Sequence, residues 1–252
     1  MRALFAAVLL SGLASAQAPD PSPAALEARL ADPDAGVRLA AVDALGRKGA
    51  RGSAAKVAAL AASDPDEHVR QSAASALGFL GDASTAPALI GALKDASAPV
   101  RFAAVRSLGS LRATSASSAL AALLKDPDAS MRRTAADALQ RISDPSTAPA
   151  LRAALKDSDE GVRLEAAAAL ARLGDSGGLA QSLSGLKSKE AASRRRAAAA
   201  ASLSGDASAL PALDAAYAAE KDKGVKTELD QARARLREKL GARKPAKEAV
   251  RP

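Results

Sequence analysis

Asp64-Pro65-Asp66-Glu67-His68-Val69-Arg70-Gln71-Ser72-Ala73-Ala74-Ser75-Ala76-Leu77-Gly78 is the stretch that decides the fold of this 252-residue chain. Asp66 is a residue type whose side-chain oxygen accepts from the unpaired amides of a helix start. Val69, Ala73 and Leu77 then follow at i, i+4 and i+8, which draws one apolar stripe along a helix. The same phrase recurs along the chain. Anchors equivalent to Arg70 stand at Arg38, Arg101, Arg132, Arg163, Arg194 and Lys226, at spacings of 31 or 32 residues. A fixed period in this range is the signature of a solenoid.

The register holds on both sides of the anchor. Six residues before it stand Asp32, Asp64, Asp95, Asp126, Asp157, Ser188 and Glu220; four before it stand the cap candidates Asp34, Asp66, Ser97, Asp128, Asp159, Glu190 and Asp222. Alanine recurs three residues after the anchor (Ala41, Ala73, Ala104, Ala135, Ala166, Ala197). Leucine recurs seven after it (Leu45, Leu77, Leu108, Leu139, Leu170). Ahead of each such helix, here the B helix, lies a second apolar-periodic segment, the A helix. It is clearest in Ser84-Thr85-Ala86-Pro87 and Ser146-Thr147-Ala148-Pro149, where serine or threonine followed by proline predicts a helix start. Glycines in 78–84 and 174–178 turn the chain between helices.

A single hairpin of this kind has two apolar sides and one partner, so only stacking buries both. The expected fold is all-α, a right-handed α-solenoid of about seven hairpins over residues 23–236. Composition agrees: 48% of residues are hydrophobic but only 2% aromatic, with no tryptophan, so the core must be aliphatic and alanine-dense. Alanine favours helix and lets helix axes approach closely.

The ends read differently. Met1-Arg2, the apolar run Ala3 to Leu10 and the small residues up to Ala16 match a cleavable signal peptide over 1–16, cut after Ala16 and followed by a short linker at 17–22. A span would need a longer apolar run than this one. The expectation is a periplasmic or secreted protein, and the lack of cysteine excludes disulfides and a lipoprotein anchor. The formal charge is +8, but residues 237–252 hold six Lys/Arg against two Glu, so the helical body is only mildly basic. That weakens a nucleic-acid reading. The 237–252 segment is expected to be a solvated, partly disordered basic tail.

The pattern Asp-Pro-Asp-x-x-Val-Arg-x-x-Ala-x-x-Ala-Leu-Gly resembles the short bacterial HEAT-like repeats of the type named after phycobilisome bilin lyases. Copies at 32–46, 64–78, 95–109 and 157–170 match closely, whereas the sixth, around Arg194-Arg195-Arg196, lacks the aspartate and the leucine. The resemblance implies that the aspartate and arginine six apart form a ladder of charge-assisted hydrogen bonds between neighbouring repeats. This gives Asp32, Arg38, Asp64, Arg70, Asp95, Arg101, Asp126, Arg132, Asp157 and Arg163 a structural role.

Catalytic readings find little to stand on. The HEAT-like deoxyhypusine hydroxylases bind iron through histidine–glutamate pairs, but here the order is Glu67-His68 and His68 is the sole histidine. With no cysteine and a lone histidine at a helix start, no nucleophilic triad assembles. Gly174-Asp175-Ser176-Gly177-Gly178 lacks the lysine and strand context of a phosphate loop. Phe79, Phe102 and Tyr217 are the only aromatics beyond the leader, too few for stacking platforms on nucleic acid. No enzyme, metal or cofactor is expected.

Function is therefore sought where the repeat varies. One and five residues after the anchor, the B helices carry Leu39/Asp43, Gln71/Ser75, Phe102/Arg106, Arg133/Asp137, Leu164/Ala168 and Arg195/Ala199. In HEAT arrays such positions line the concave side. Phe102, Arg106, Arg133 and Arg195 are the candidate partner-binding residues, since aromatics and arginines are enriched at interface hot spots. The competing reading packs Phe102 onto the next repeat and pairs the arginines with Asp137. A second candidate is the cationic end, Arg194-Arg195-Arg196 with the tail, against anionic lipid or cell-wall polymer. The reading that follows is a non-enzymatic scaffold or adaptor of the cell envelope that holds a protein partner; the alternative is a regulatory or chaperone-like subunit of an enzyme complex.

Overall fold

The computed structural model describes residues 20–242, so the signal-peptide reading of 1–16, most of the linker and the end of the basic tail lie outside the described residues. Seven helix pairs follow one another: α1 (Pro23–Ala28) with α2 (Ala35–Lys48), α3 (Ala54–Ser63) with α4 (Glu67–Leu80), α5 (Ala86–Ala92) with α6 (Ala98–Ser110), α7 (Ser117–Ala122) with α8 (Ala129–Ile142), α9 (Ala148–Ala154) with α10 (Glu160–Arg172), α11 (Leu179–Gly185) with α12 (Ala191–Ser204), and α13 (Ala209–Ala219) with α14 (Lys223–Ala242). This is an all-α solenoid. The even-numbered B helices pack on one another along the whole array, whereas most A helices barely touch their A neighbours. In HEAT arrays the closely packed B layer forms the inner side of the stack, and the B helices are called the inner layer for that reason. The last helix runs to Ala242, past the boundary drawn at residue 236.

Five of the expected caps are made. Asp34, Asp66, Asp128, Asp159 and Asp222 each accept from backbone N–H groups of the first turn, at 2.6 Å for Gly36, 2.8 Å for His68, 2.7 Å for Ser130, 2.8 Å for Val162 and 2.9 Å for Val225. Two are not. Ser97 makes no cap bond, and its hydroxyl is buried without a partner. Pro99, at the second helical position, has no N–H to offer it. Glu190, one methylene longer than aspartate, also makes none. The A helices begin differently from the expectation of a Ser/Thr cap. Asp82 and Asp144 accept from Ser84 N and Ser146 N, and 3-10 turns lead into α5 and α9.

The leucine column Leu45, Leu77, Leu108, Leu139, Leu170 is fully buried, as are the alanines three residues after each anchor. Between them the B helices meet through very small residues. A Cβ on Gly78 would lie 2.7 Å from the Ser107 hydroxyl, and one on Gly109 only 2.9 Å from Ala138 Cα. In the sixth pair Ala201 takes the leucine position, and the core divides there into a large cluster that reaches Leu170 and Ala200 and a smaller one built on Leu213, Val225, Leu229 and Leu236. Leu164 joins the second cluster and bridges the thin point.

Four of the anchor arginines, Arg38, Arg70, Arg132 and Arg194, face both ways. Arg38 donates to the carbonyls of Asp32 and Pro33 in its own repeat, and bidentately to the carboxylate of Asp64 in the next. The own-repeat aspartate thus contributes its backbone, and the carboxylate comes from one repeat further on. Arg70–Asp95, Arg132–Asp157 and Arg194–Glu220 repeat the geometry, at 2.7–3.1 Å. Arg101 and Arg163 bond carbonyls of their own repeats only. For Arg163 the reason is plain, since the next repeat offers Ser188 where a carboxylate should stand.

Candidate partner-binding face

The inner layer displays the variable positions, and its most conspicuous side chain is Phe79, 79% exposed and the only large hydrophobic residue so exposed among those described. It sits nine residues after the Arg70 anchor, in the last turn of α4. On one side, between α2 and α4, lies a 380 Å³ depression floored by Gly46 and Ala76 and edged by Asp43, Arg47, Ser72 and Ser75. On the other, between α4 and α6, a 350 Å³ depression is floored by Gly78, Ala103 and Ser107 and edged by Arg106 and Ser110. The small residues that let the B helices approach closely also leave these hollows. Phe79 stands between them as a ridge.

The four predicted partner residues are distributed differently from the expectation. Phe102 is half-buried and packs against the core. Arg106 is exposed and lines the second hollow. Arg133 is partly committed to structure, lying 3.7 Å from the Asp159 carboxylate and 3.1 Å from the Ser130 hydroxyl. Asp137 pairs with Arg141 at 3.0 Å and not with Arg106 or Arg133. Arg195 is exposed at the far end. Leu164 and Ala168, placed by register on the same open face, are buried, because repeat six closes over them. Gly185 accommodates the Leu164 methyls, which would lie 2.7 Å from any Cβ there. Only Arg106 of the four therefore shares a hollow with Phe79. Phe79 itself was legible only as one residue of the Gly78–Ser84 turn region, because column reading stopped five residues after the anchor.

Between α10 and α12 the inner face is ionic. Glu165 accepts from Arg196 at 2.9 Å. Burial, with Asp137 nearby, pushes its carboxyl above the usual range against the pull of Arg196 and Arg133. The cationic run at 194–196 is thus largely spoken for: Arg194 holds Glu220, Arg196 holds Glu165, and Arg195 alone points outward. Arg237 likewise contacts Asp214 at 3.0 Å.

Elsewhere the candidate chemistry stays dispersed. His68 is exposed beside its own cap Asp66, at 3.3 Å. Among the described residues no three His, Asp or Glu side chains gather as metal ligands, and no helix is long and apolar enough to cross a membrane. Tyr217 is covered by the cations of Lys226 and Arg233, 5.0 and 4.4 Å from its ring centre.

Comparison with known proteins follows the same lines. The chain is similar in fold to a chain of the complex of CpcE and CpcF of phycocyanin lyase from Nostoc sp. PCC7120, with a TM-score of 0.66, 21% identity, and 96% of this chain and 99% of that one covered. An archaeal HEAT-like repeats protein from Thermococcus onnurineus NA1 matches with a TM-score of 0.56 and 17% identity, over 87% of this chain and 98% of the other. An engineered protein matches with a TM-score of 0.53 and 22% identity, over 84% and 67%. At these identities the likeness is one of fold. No curated protein matches the sequence significantly. The family model for HEAT repeats matches residues 22–109, 87–171 and 150–234, three overlapping windows that run across nearly all seven helix pairs. With its period, its stacked hairpins and this match in agreement, the chain belongs to the HEAT-repeat family.

Proposed function

We propose that this chain is a non-catalytic scaffold or adaptor whose inner face, centred on Phe79, holds a protein partner, and that it works in the cell envelope. The reading rests chiefly on Phe79, an aromatic held out of the core between two hollows. Enclosing a phenylalanine removes apolar area worth about 1.5–3 kcal/mol, and aromatic and arginine side chains dominate interface energetics. Hollows on either side would receive the partner's side chains, with Arg47 and Arg106 at their edges fixing its register. Placement in the envelope rests on the leader-like residues 1–16 alone.

The alternative, a subunit of an enzyme complex, draws support from the near full-length likeness to a chain taken from a two-protein lyase complex. Capture from a native extract separates the two. Immobilised wild type should retain a protein that Phe79→Ser releases, with unchanged helical circular dichroism. A stoichiometric enzyme among the retained proteins favours the alternative. Equal retention by both variants removes Phe79 from the interface.

A further inference from the structure

Beyond the proposed partner face, three guanidinium groups meet where three successive B helices end. Arg112 follows α6, Arg141 lies in the last turn of α8 and Arg172 in the last turn of α10, and together with Gln140 and Asp137 they line one 190 Å³ pocket. Asp137 is engaged by Arg141 at 3.0 Å. Arg112 and Arg172 are exposed and have no ion-pair partner among the described residues. The pocket, a shallow depression open to solvent, therefore carries two uncompensated positive charges and a side-chain amide.

The backbone adds a second observation. The turn after each B helix needs one residue in the left-handed region, and that residue is Gly49, Gly81, Gly174 and Gly205 in four of the repeats. In the third repeat it is Arg112, at φ 49°. A side chain there costs about 1–2 kcal/mol relative to glycine. Ser143 is the other exception, but it is small and polar. A long cation at a position that favours glycine, aimed into a pocket already holding two more arginines, is opposed by both strain and like-charge repulsion. The macrodipole of a helix C-terminus favours cations and accounts for Arg141 and Arg172 at the ends of their helices. It favours a cation just past α6 as well, but it does not offset the left-handed backbone that Arg112 adopts there.

We propose that Arg112, Arg141, Arg172 and Gln140 form a binding site for a compact dianionic oxyanion of the phosphoryl class, taken either as the free ion or as a phosphomonoester. Planar guanidinium forks recognise phosphoryl oxygens bidentately, and two unpaired charges match a dianion. The amide of Gln140 supplies a neutral donor to a further oxygen.

The test is calorimetric titration of the full chain at low ionic strength with inorganic phosphate, glycerol 3-phosphate and, as monoanion control, acetate. Three proteins are compared: wild type, Arg112→Gly and Arg172→Gln. Wild type is expected to bind phosphate saturably and acetate about ten-fold more weakly or worse, since a single charge satisfies only one of the unpaired arginines. Both variants are expected to lose about ten-fold or more in phosphate affinity. Arg112→Gly is expected to melt no lower than wild type, because glycine relieves the turn, which separates loss of binding from loss of folding. Tighter binding of glycerol 3-phosphate than of phosphate assigns the site to esters, and the reverse assigns it to the free ion. No saturable phosphate binding by wild type, or undiminished binding by Arg112→Gly, overturns the proposal.

Discussion

Arg38 and Asp64 are joined by two parallel hydrogen bonds of 2.8 Å between side chains only 10% and 1% exposed, and the two residues belong to different repeats. The same guanidinium also binds the carbonyls of Asp32 and Pro33. One side chain therefore fixes both the turn within its own hairpin and the seating of the next. Asp64→Asn keeps the shape and the local turn but removes the charge, and should cost about 1.5–3 kcal/mol in urea unfolding. Asp126→Asn is the control: among the described residues its carboxylate has no arginine partner and accepts from Asp128 N at 2.8 Å, and the change should stay within about 0.5 kcal/mol. Equal effects would mean that the inter-repeat clamp contributes nothing special.

Acid should unlock the clamps together. Burial raises the Asp64 carboxyl, but the bonds from Arg38 and Asp66 N overcome it and leave it below the ordinary range. Asp95 and Asp157 are lowered chiefly by Arg70 and Arg132. Glu220 is held down to about 2, first by Arg194 and then by backbone N–H groups, against the effect of burial. For a carboxylate lowered on folding, the stabilisation is complete above its unfolded value, about 4, and disappears as pH falls through the folded one. Thermal midpoints should thus be level with respect to these groups above about pH 5 and fall steeply toward pH 2. Arg194→Gln should flatten the last part of that fall. An unchanged slope in Arg194→Gln would contradict the assignment of Glu220.

Glu165 should behave in the opposite sense. Its carboxyl is raised by burial and by Asp137, so its ionised form opposes folding. That penalty is absent below the unfolded value and grows as pH rises through it. Glu165→Gln should therefore raise the melting temperature at pH 7 and give no gain near pH 4. A loss of stability at neutral pH would show that the bond from Arg196 outweighs the burial.

Close contact between B helices predicts a pair of opposite glycine effects. Gly109→Ala places a methyl 2.9 Å from the backbone of Ala138, which no side-chain rotation relieves, and should cost about 1–3 kcal/mol. Gly91→Ala in α5 meets nothing within 4 Å and should stabilise by up to about 1 kcal/mol through helix propensity. Urea midpoints moving the same way for both would refute the close-packed seam.

Much of the architecture was legible because a repeat states its rules several times over. The leucine and alanine columns, five of seven caps and the weak sixth repeat all followed from register. What periodicity could not reveal is which neighbour completes an interaction. Asp32 and Asp64 stand in the same Asp-Pro-Asp-x-x-Val-Arg frame, yet it is the carboxylate one repeat ahead that Arg38 grips, since that depends on how one hairpin seats on the next. Leu164 is buried for a similar reason: Gly185 and Ala197, far along the chain, leave room for it. Register reading centres the candidate face on Phe102, because positions one and five after the anchor point away from the buried stripe. In the structure the ninth position, with Phe79, Arg141 and Arg172, is exposed near the helix ends, and Phe102 turns down onto the core.

The central claim, that partners are held on the inner face at Phe79, is tested most directly by site-specific photocrosslinking in the native extract. Benzoylphenylalanine replaces Phe79 in one protein and the exposed Ala153 of the outer helix α9 in another. The account predicts a discrete adduct from position 79 that is absent from position 153. Equal adducts from both positions, or an adduct from 153 alone, would contradict it.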